Sequence, residues 1–334
     1  MANIRKEALM ELTAAALRSA GATADAADST ARALVAADAL RMGSHGVARA
    51  PYYCEHIRSG RVNGAAKANI RTHEGAAILV DADNGLAFPA CDLAVARAID
   101  GARALGVSWA AIVRSNHYGM AAHHLGPVAA AGMIGLTFSN APAVMPAPGG
   151  KRALFGTNPI AAIFPRRDAA PIVIDLSLSE VAKGKLMVAA REGKPIPLGW
   201  ATDADGNPTT DPNLGLKGFM LPAGGAKGAM LAMMVELLCA GLTGGGLSSE
   251  APQFYDAASD AANLAQGFLV IDPARFAGRD AFLDRVETVV SLMLADEGVR
   301  LPGARRDKLA AQSEAEGMAI PDDLLAELNT LAGR

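Results

Sequence analysis

The feature that most restricts this chain's fold is a change of hydrophobic period along it. From about residue 5 to residue 42 apolar residues recur at helical spacing. From about residue 74 the pattern switches to short apolar runs at 77–80, 107–113, 134–138 and 172–174, separated by helical stretches and Gly/Pro loops. A further run at 268–271 precedes a helical pattern from about 279 to 297, and the last forty-odd residues read as mostly helical. Such a chain is expected to be α/β, with its sheet in the middle section.

The first helical stretch divides in two at Gly21, with Thr23 as a plausible N-cap and Gly43 as a C-cap candidate for the second helix. Pro51 suits the first turn of a third helix, whose face carries Tyr52, Cys54 and Ile57 before Gly60 stops it. The run Ser44-His45-Gly46-Val47-Ala48-Arg49 is thereby placed on a connection between helices.

At 334 residues, with 51% hydrophobic and 19% charged side chains, the chain can bury a large core and fits no disordered or fibrous class. A net charge of -3 without a dense Lys/Arg block excludes a nucleic-acid or anionic-membrane footprint. Partners are expected to be small molecules or protein. Cys54, Cys91 and Cys239 lack zinc or redox spacing and read as reduced, buried thiols. The uncharged stretch 125–150 is broken by Pro127, Gly132, Pro142, Pro146 and Pro148 into a short helix, a strand and a loop, so it is not a membrane span. The run 229–242, interrupted by Glu236, reads as a buried helix. The first residues turn directly into an amphipathic pattern without a signal-peptide profile, so a cytoplasmic location is expected.

The Gly-x-Gly-x-x-Gly fingerprint of a dinucleotide-binding strand–helix turn is absent. Gly224-Gly225-Ala226-Lys227-Gly228 lies late in the chain and matches neither that fingerprint nor a P-loop; a plain helix-initiating turn explains it at least as well. Four other segments put polar groups among glycine and proline on connections, where a scaffold displays its chemistry. In Ser44-His45-Gly46 with Arg49, the histidine can exchange a proton near neutral pH and the arginine can clamp a carboxylate. Read alone, that spacing more often marks a helix-capping histidine and a surface ion pair. Arg114-Ser115-Asn116-His117-Tyr118-Gly119 follows a strand that would be buried, the usual ligand crevice of an α/β sheet. His117, His123 and His124 lack a nearby carboxylate or cysteine group, so no metal site is expected. Phe155-Gly156-Thr157-Asn158-Pro159 is the third segment. The fourth is Asp175-Leu176-Ser177, leading to Ser179 and then Ala182-Lys183-Gly184-Lys185; its Asp and Ser can bond ribose hydroxyls or cap the following helix.

Together these segments resemble a family of NAD(P)-dependent oxidoreductases that includes archaeal-type malate and sulfolactate dehydrogenases, ureidoglycolate dehydrogenase and piperideine-2-carboxylate reductase. The landmarks are Ser44-His45-Gly46-x-x-Arg49 with Tyr53, Ser115-Asn116-His117, Leu154 to Pro159, Asp203-x-x-Gly206-x-Pro208-Thr209-x-Asp211-Pro212, and Gly225-Ala226-Lys227-Gly228. Their order spans nearly the whole chain. The resemblance implies a non-Rossmann fold: a mixed, largely antiparallel cofactor-binding sheet over residues 74–278, and a helical substrate and dimerisation domain from residues 1–73 with 279–334. It implies a homodimer that binds NAD or NADP and a small acid.

By the same resemblance His45 would be the proton donor with Ser44 orienting it, Arg49 the carboxylate clamp, and Tyr53, Thr157, Lys183 and Gly184 further substrate contacts. Cofactor contacts would be His117, Tyr118, Gly119, Met120, Ala121, Asp175, Leu176, Ser177, Ala226, Lys227, Arg305 and Arg306. The ureidoglycolate branch gives the proton-transfer role to the histidine matching His117, so both histidines stay candidates, with His45 preferred. Imine-reducing members carry an aspartate where this chain has Lys185, which favours a 2-oxo/2-hydroxy acid of malate or sulfolactate type. A cyclic 2-imino acid reductase is the enzymatic alternative. A non-catalytic small-molecule-binding protein on the same scaffold is the other, and it conflicts with the presence of Ser44, His45, Arg49 and His117.

Overall fold

The computed structural model describes residues 2–334. Its centre is a seven-stranded mixed sheet in the order Asn69–Glu74, Ala77–Asp81, Val107–Ser115, Leu264–Ile271, Ile134–Ser139, Ile160–Phe164, Ile172–Leu176. All neighbours pair antiparallel except Ala77–Asp81 with Val107–Ser115, which run parallel. The expected middle sheet is present, with strands longer than the apolar runs that announced them. Two strands escaped the hydrophobic reading. Asn69–Glu74 is an edge strand whose side chains are mostly exposed, so it has no apolar face to show. Ile160–Phe164 is buried, but its central alanines dilute the signal.

Successive strand residues face opposite sides and build two cores. On one face Ala110, Ile112, Phe268 and Val270 pack with the helix Ala87–Leu105 through Ala90, Ala94 and Ala98. On the other, Phe138 and Ala265 join Met145, Leu186, Val235 and Cys239. A third core unites both chain ends: Leu9, Leu12 and Leu17 of the helix Lys6–Ser19, Leu34 of the helix Ala24–Ala39, Tyr53 and Leu328. The short strand Ala2–Ile4 pairs antiparallel with Met318–Ile320 and stitches the two ends together.

Thr23 does cap its helix, accepting from the Ala26 N–H at 3.2 Å. Gly43 does not end the second helix, which stops at Ala39 with Arg41 in the left-handed region (φ 57°); Gly43 instead begins a 3-10 turn. Pro51 sits in the first turn of the helix Ala50–Arg58, but Tyr53 is buried in place of Tyr52. Ser177 and Ser179 cap no helix, because the next one starts at Lys183 with Ala182 as its N-cap. The three cysteines are free and buried. Among the described residues no helix is long and apolar enough to cross a membrane, and no cluster of His, Cys, Asp or Glu could hold a metal ion. The run 229–242 forms the helix Ala226–Glu236 continued by Leu237–Gly241, but only half of it is buried: Met230, Leu231, Met233, Met234 and Leu237 are exposed.

Candidate active site

The sheet topology collects the four polar segments at one edge. Val107–Ser115, Ile134–Ser139 and Ile172–Leu176 run parallel to one another through their antiparallel neighbours, so their carboxyl ends share an edge with the amino ends of Ile160–Phe164 and Leu264–Ile271. His117, Asn140, Ser177 and Thr157 therefore converge, and the helical core brings Ser44, His45 and Arg49 against them. Together they line a cavity of about 500 Å³, within the range typical of small-molecule sites.

The recurring glycines and asparagines have steric and anchoring reasons. A Cβ on Gly46 would collide with the Asp38 carboxylate, which accepts from the Val47 N–H at 2.7 Å and so fixes the turn after His45. A Cβ on Gly156 would collide with the Ala141 carbonyl. Asn158, at φ 34°, is fully buried and donates to Glu236 and to the Ala232 carbonyl, both at 2.9 Å, which leaves Thr157 facing the cavity. Arg114, at φ 53°, pairs with Asp81 and Asp83, and Asn116 donates to the Asn84 and Gly85 carbonyls. Most of the segment Arg114 to His117 thus serves to anchor, and His117 is delivered to the cavity.

The two histidines stack, with ring centroids 5.8 Å apart and planes 25° off parallel. Ser44 Oγ lies 3.0 Å from His45 Nδ1, and the Tyr53 hydroxyl lies 2.7 Å from His117 Nδ1. Each ring is thereby oriented through Nδ1, leaving Nε2 for a ligand. Burial and the nearby Arg49 cation push His45 down to about 4. His117 is pushed well below the usual histidine range by burial, with Arg49, His45 and His56 adding to it. Both are neutral at pH 7. Arg49 donates through Nε to the Ser44 carbonyl at 2.7 Å and through Nη1 to the Tyr255 hydroxyl at 3.1 Å, and its guanidinium lies 4.6 Å from the Phe254 ring centroid. Among the described residues it has no carboxylate partner, so its charge is available to an anion.

His117, Tyr118, Gly119, Met120, Ala121, Asp175 and Ser177 line the same cavity, as do Tyr53, Lys183 and Gly184. Arg306 reaches Asp175 at 3.4 Å, and burial raises that carboxyl's pKa although Arg306 opposes the shift. Leu176, Ala226, Lys227 and Arg305 are exposed and lie outside the cavity wall. Gly225-Ala226-Lys227-Gly228 does form a helix-initiating turn, with Gly225 at φ 67° as N-cap. The Asp203 to Pro212 landmark shapes a small antiparallel hairpin in which Asp203 accepts from the Asp205 and Asn207 N–H groups. It contributes fold, not chemistry. Lys185 is also outside the wall, its ammonium 5.8 Å from the Trp200 ring centroid.

Sequence reasoning missed one wall entirely: Gln253, Phe254 and Tyr255, with Arg61 and His56 behind them. They lie in a stretch without hydrophobic period. The available signal was the adjacent pair Phe254-Tyr255 in a chain only 4% aromatic.

The profile of the family described as malate/L-lactate dehydrogenase matches residues 4–329. A (2R)-3-sulfolactate dehydrogenase (NADP(+)) from Chromohalobacter salexigens is 46% identical over 96% of this chain and 95% of its own length. Among solved structures, a delta1-piperideine-2-carboxylate reductase from Pseudomonas syringae pvar. tomato superposes with a TM-score of 0.94 at 37% identity, covering 99% of this chain and 100% of its own. The sulfolactate dehydrogenase from Methanocaldococcus jannaschii superposes with a TM-score of 0.92 at 29% identity, covering 99% and 97%.

Proposed function

Because the chain belongs to the malate/L-lactate dehydrogenase family, we propose that it moves a hydride between a nicotinamide cofactor and C2 of a small 2-oxo/2-hydroxy acid of malate or sulfolactate type. It is an NAD(P)-dependent oxidoreductase, and the (2R)-3-sulfolactate dehydrogenase to which it is similar is named for NADP. The single observation that carries the acid substrate is Arg49, an arginine without a carboxylate partner among the described residues, beside two stacked neutral histidines in one cavity.

The residues at the sheet edge suit the cofactor. Asp175 and Ser177 present a carboxylate and a hydroxyl suited to ribose, and the backbone from His117 to Ala121 lines the adjoining wall. Bound there, the cofactor would supply the hydride. The assignment of Leu176, Ala226, Lys227, Arg305 and Arg306 to it is part of the same proposal, as is a non-Rossmann binding mode on residues 74–278 with a helical domain from residues 1–73 and 279–334.

The chain's own groups do the rest. Arg49 holds the substrate carboxylate with two parallel hydrogen bonds and draws charge toward the helical wall. Tyr53, Thr157, Lys183 and Gly184 border the same space. His45, oriented by Ser44, exchanges the proton at the substrate oxygen through Nε2, and His117, oriented by Tyr53, faces it. Burial is the larger cause of both lowered imidazoles, and a bound carboxylate neutralises the Arg49 charge that adds to it, so substrate removes part of what opposes protonation. Lys185, its ammonium 5.8 Å from the Trp200 ring centroid, stands at the position where the resemblance gives imine-reducing members an aspartate, which supports the oxo-acid reading.

Arg49→Ala is expected to raise KM for the acid about 100-fold, the worth of a charged bidentate contact, with KM for the cofactor nearly constant. Equal effects on both would contradict the clamp. The exposed Met230, Leu231, Met233 and Met234 support a homodimer that covers them, and the family setting supports a cytoplasmic location. Sedimentation of the purified chain at a monomer's mass would contradict the dimer.

A further inference from the structure

The cavity is strongly cationic. Arg41, Arg49, Arg61 and Lys183 line it, and Asp175 is the one carboxylate on its wall among the described residues. That carboxylate is already engaged by Arg306 at 3.4 Å. Arg61 is spent on backbone carbonyls of Gln253, Phe254 and Asp256. Arg41, which is exposed, is bonded to Gln312 at 2.8 Å. Two cations are then left facing the space beside the histidines: Arg49 and Lys183.

Lys183 begins its helix at half-burial, and its ammonium has one neutral partner, Gln253 Oε1, at 3.2 Å. No carboxylate among the described residues pairs with it, and burial lowers its pKa. Next to it, Gly184 neighbours Ser44, since a Cβ there would lie at an ordinary contact distance of 3.8 Å from the Ser44 Cβ. Lys183 and Arg49 are also bridged by one short segment, since Gln253 holds the ammonium while Tyr255 holds the guanidinium. A partly buried, unpaired cation is costly unless a ligand supplies its counter-charge.

We infer that Lys183 is the subsite for a second anionic group on the substrate, set in place by Gln253 on the segment that buried Arg61 anchors. Arg49 takes the carboxylate next to the reacting carbon, and Lys183 takes a carboxylate or sulfonate at the far end. The site thus selects dianionic 2-oxo acids over monoanionic ones. This rests on the oxo-acid reading above and adds a residue that discriminates by charge.

The test is the ratio of kcat/KM for dianionic probes, oxaloacetate and sulfopyruvate, to that for monoanionic pyruvate and 2-oxobutyrate. It is measured in the wild type, Lys183→Met, Lys183→Arg and Arg41→Met. Lys183→Met is expected to lower the ratio about 10- to 100-fold, the range for a hydrogen bond to a charged group. Lys183→Arg keeps most of it, Arg41→Met leaves it in place, and KM for the cofactor moves little. An unchanged ratio in Lys183→Met, a ratio controlled by Arg41, or an effect confined to cofactor KM overturns the assignment while the oxo-acid reading stands. A wild type that turns over no oxo acid removes that reading and this inference with it.

Discussion

His45 is the residue on which the direction of the chemistry turns. Its pKa, lowered to about 4 by burial and the Arg49 charge, keeps it in the base form at neutral pH and leaves the acid form scarce. For hydroxy-acid oxidation, kcat/KM is therefore expected to be level above about pH 5 and to fall below it, since that parameter reports the free enzyme. For oxo-acid reduction the sign reverses: the free enzyme must gain the proton, so kcat/KM falls about tenfold per pH unit across the neutral range. An oxidation profile with its acidic limb near neutrality would contradict proton exchange by a His45 held at about 4. At this scale the sequence was informative. Ser44, His45, Arg49, His117, Thr157 and Asp175 were all singled out from residue type and setting, and all reach one cavity. Asp38 and Glu236 were not, because a buried carboxylate that holds a turn looks in sequence like any acidic residue on a helix.

Among the elements, the segment that carries Gln253, Phe254 and Tyr255 is the least regular and the most dependent on a single side chain. Arg61 is 4% exposed and fans its guanidinium across carbonyls from that segment. Arg61→Met is expected to destabilise the protein by about 2 kcal/mol, as buried acceptors lose a charged donor. It should also raise KM for the acid more than KM for the cofactor, because Tyr255 and Gln253 touch Arg49 and Lys183. Thermal denaturation and steady-state kinetics on the one variant read both effects, and wild-type values for both would show that the segment holds itself. The sheet, in contrast, was visible as a set of apolar runs. What the runs could not show was strand order, because that depends on the long-range pairing of Leu264–Ile271 between Val107–Ser115 and Ile134–Ser139, and no local signal encodes it. The same limit hid Asn69–Glu74, which pairs through its backbone while exposing its side chains.

On the scale of the whole molecule, the buried histidines link stability to pH. His45, His56 and His124 are lowered to about 4 and His123 to about 3 by burial, and burial also holds His117 well below the usual histidine range. Each is a base whose folded pKa lies below its unfolded value of 6.5, so the unfolded chain takes up protons first. Their stabilisation is complete above the unfolded pKa and is lost as pH falls toward about 4. Asp38, raised to about 6 by burial, and Asp175, also raised by burial, act with the opposite sign, but they are two groups against five histidines. Melting temperature is therefore expected to drop on acidification from neutrality, and His123→Gln should flatten part of that slope; a melting temperature that rises on acidification would contradict the burial of these rings.

The most direct test of the account is the oxidation of NADPH, then NADH, by the purified chain with oxaloacetate and sulfopyruvate against piperideine- and pyrroline-2-carboxylate. The account predicts kcat/KM for an oxo acid at least about 100-fold above that for either imine, since both oxo acids carry a second anionic group for Lys183 and neither imine does, and a hydrogen bond to a charged group is worth up to about that factor. Faster turnover of a cyclic imine would contradict it, and would mean that Ser44, His45 and Arg49 reduce a carbon–nitrogen bond without the aspartate that Lys185 replaces.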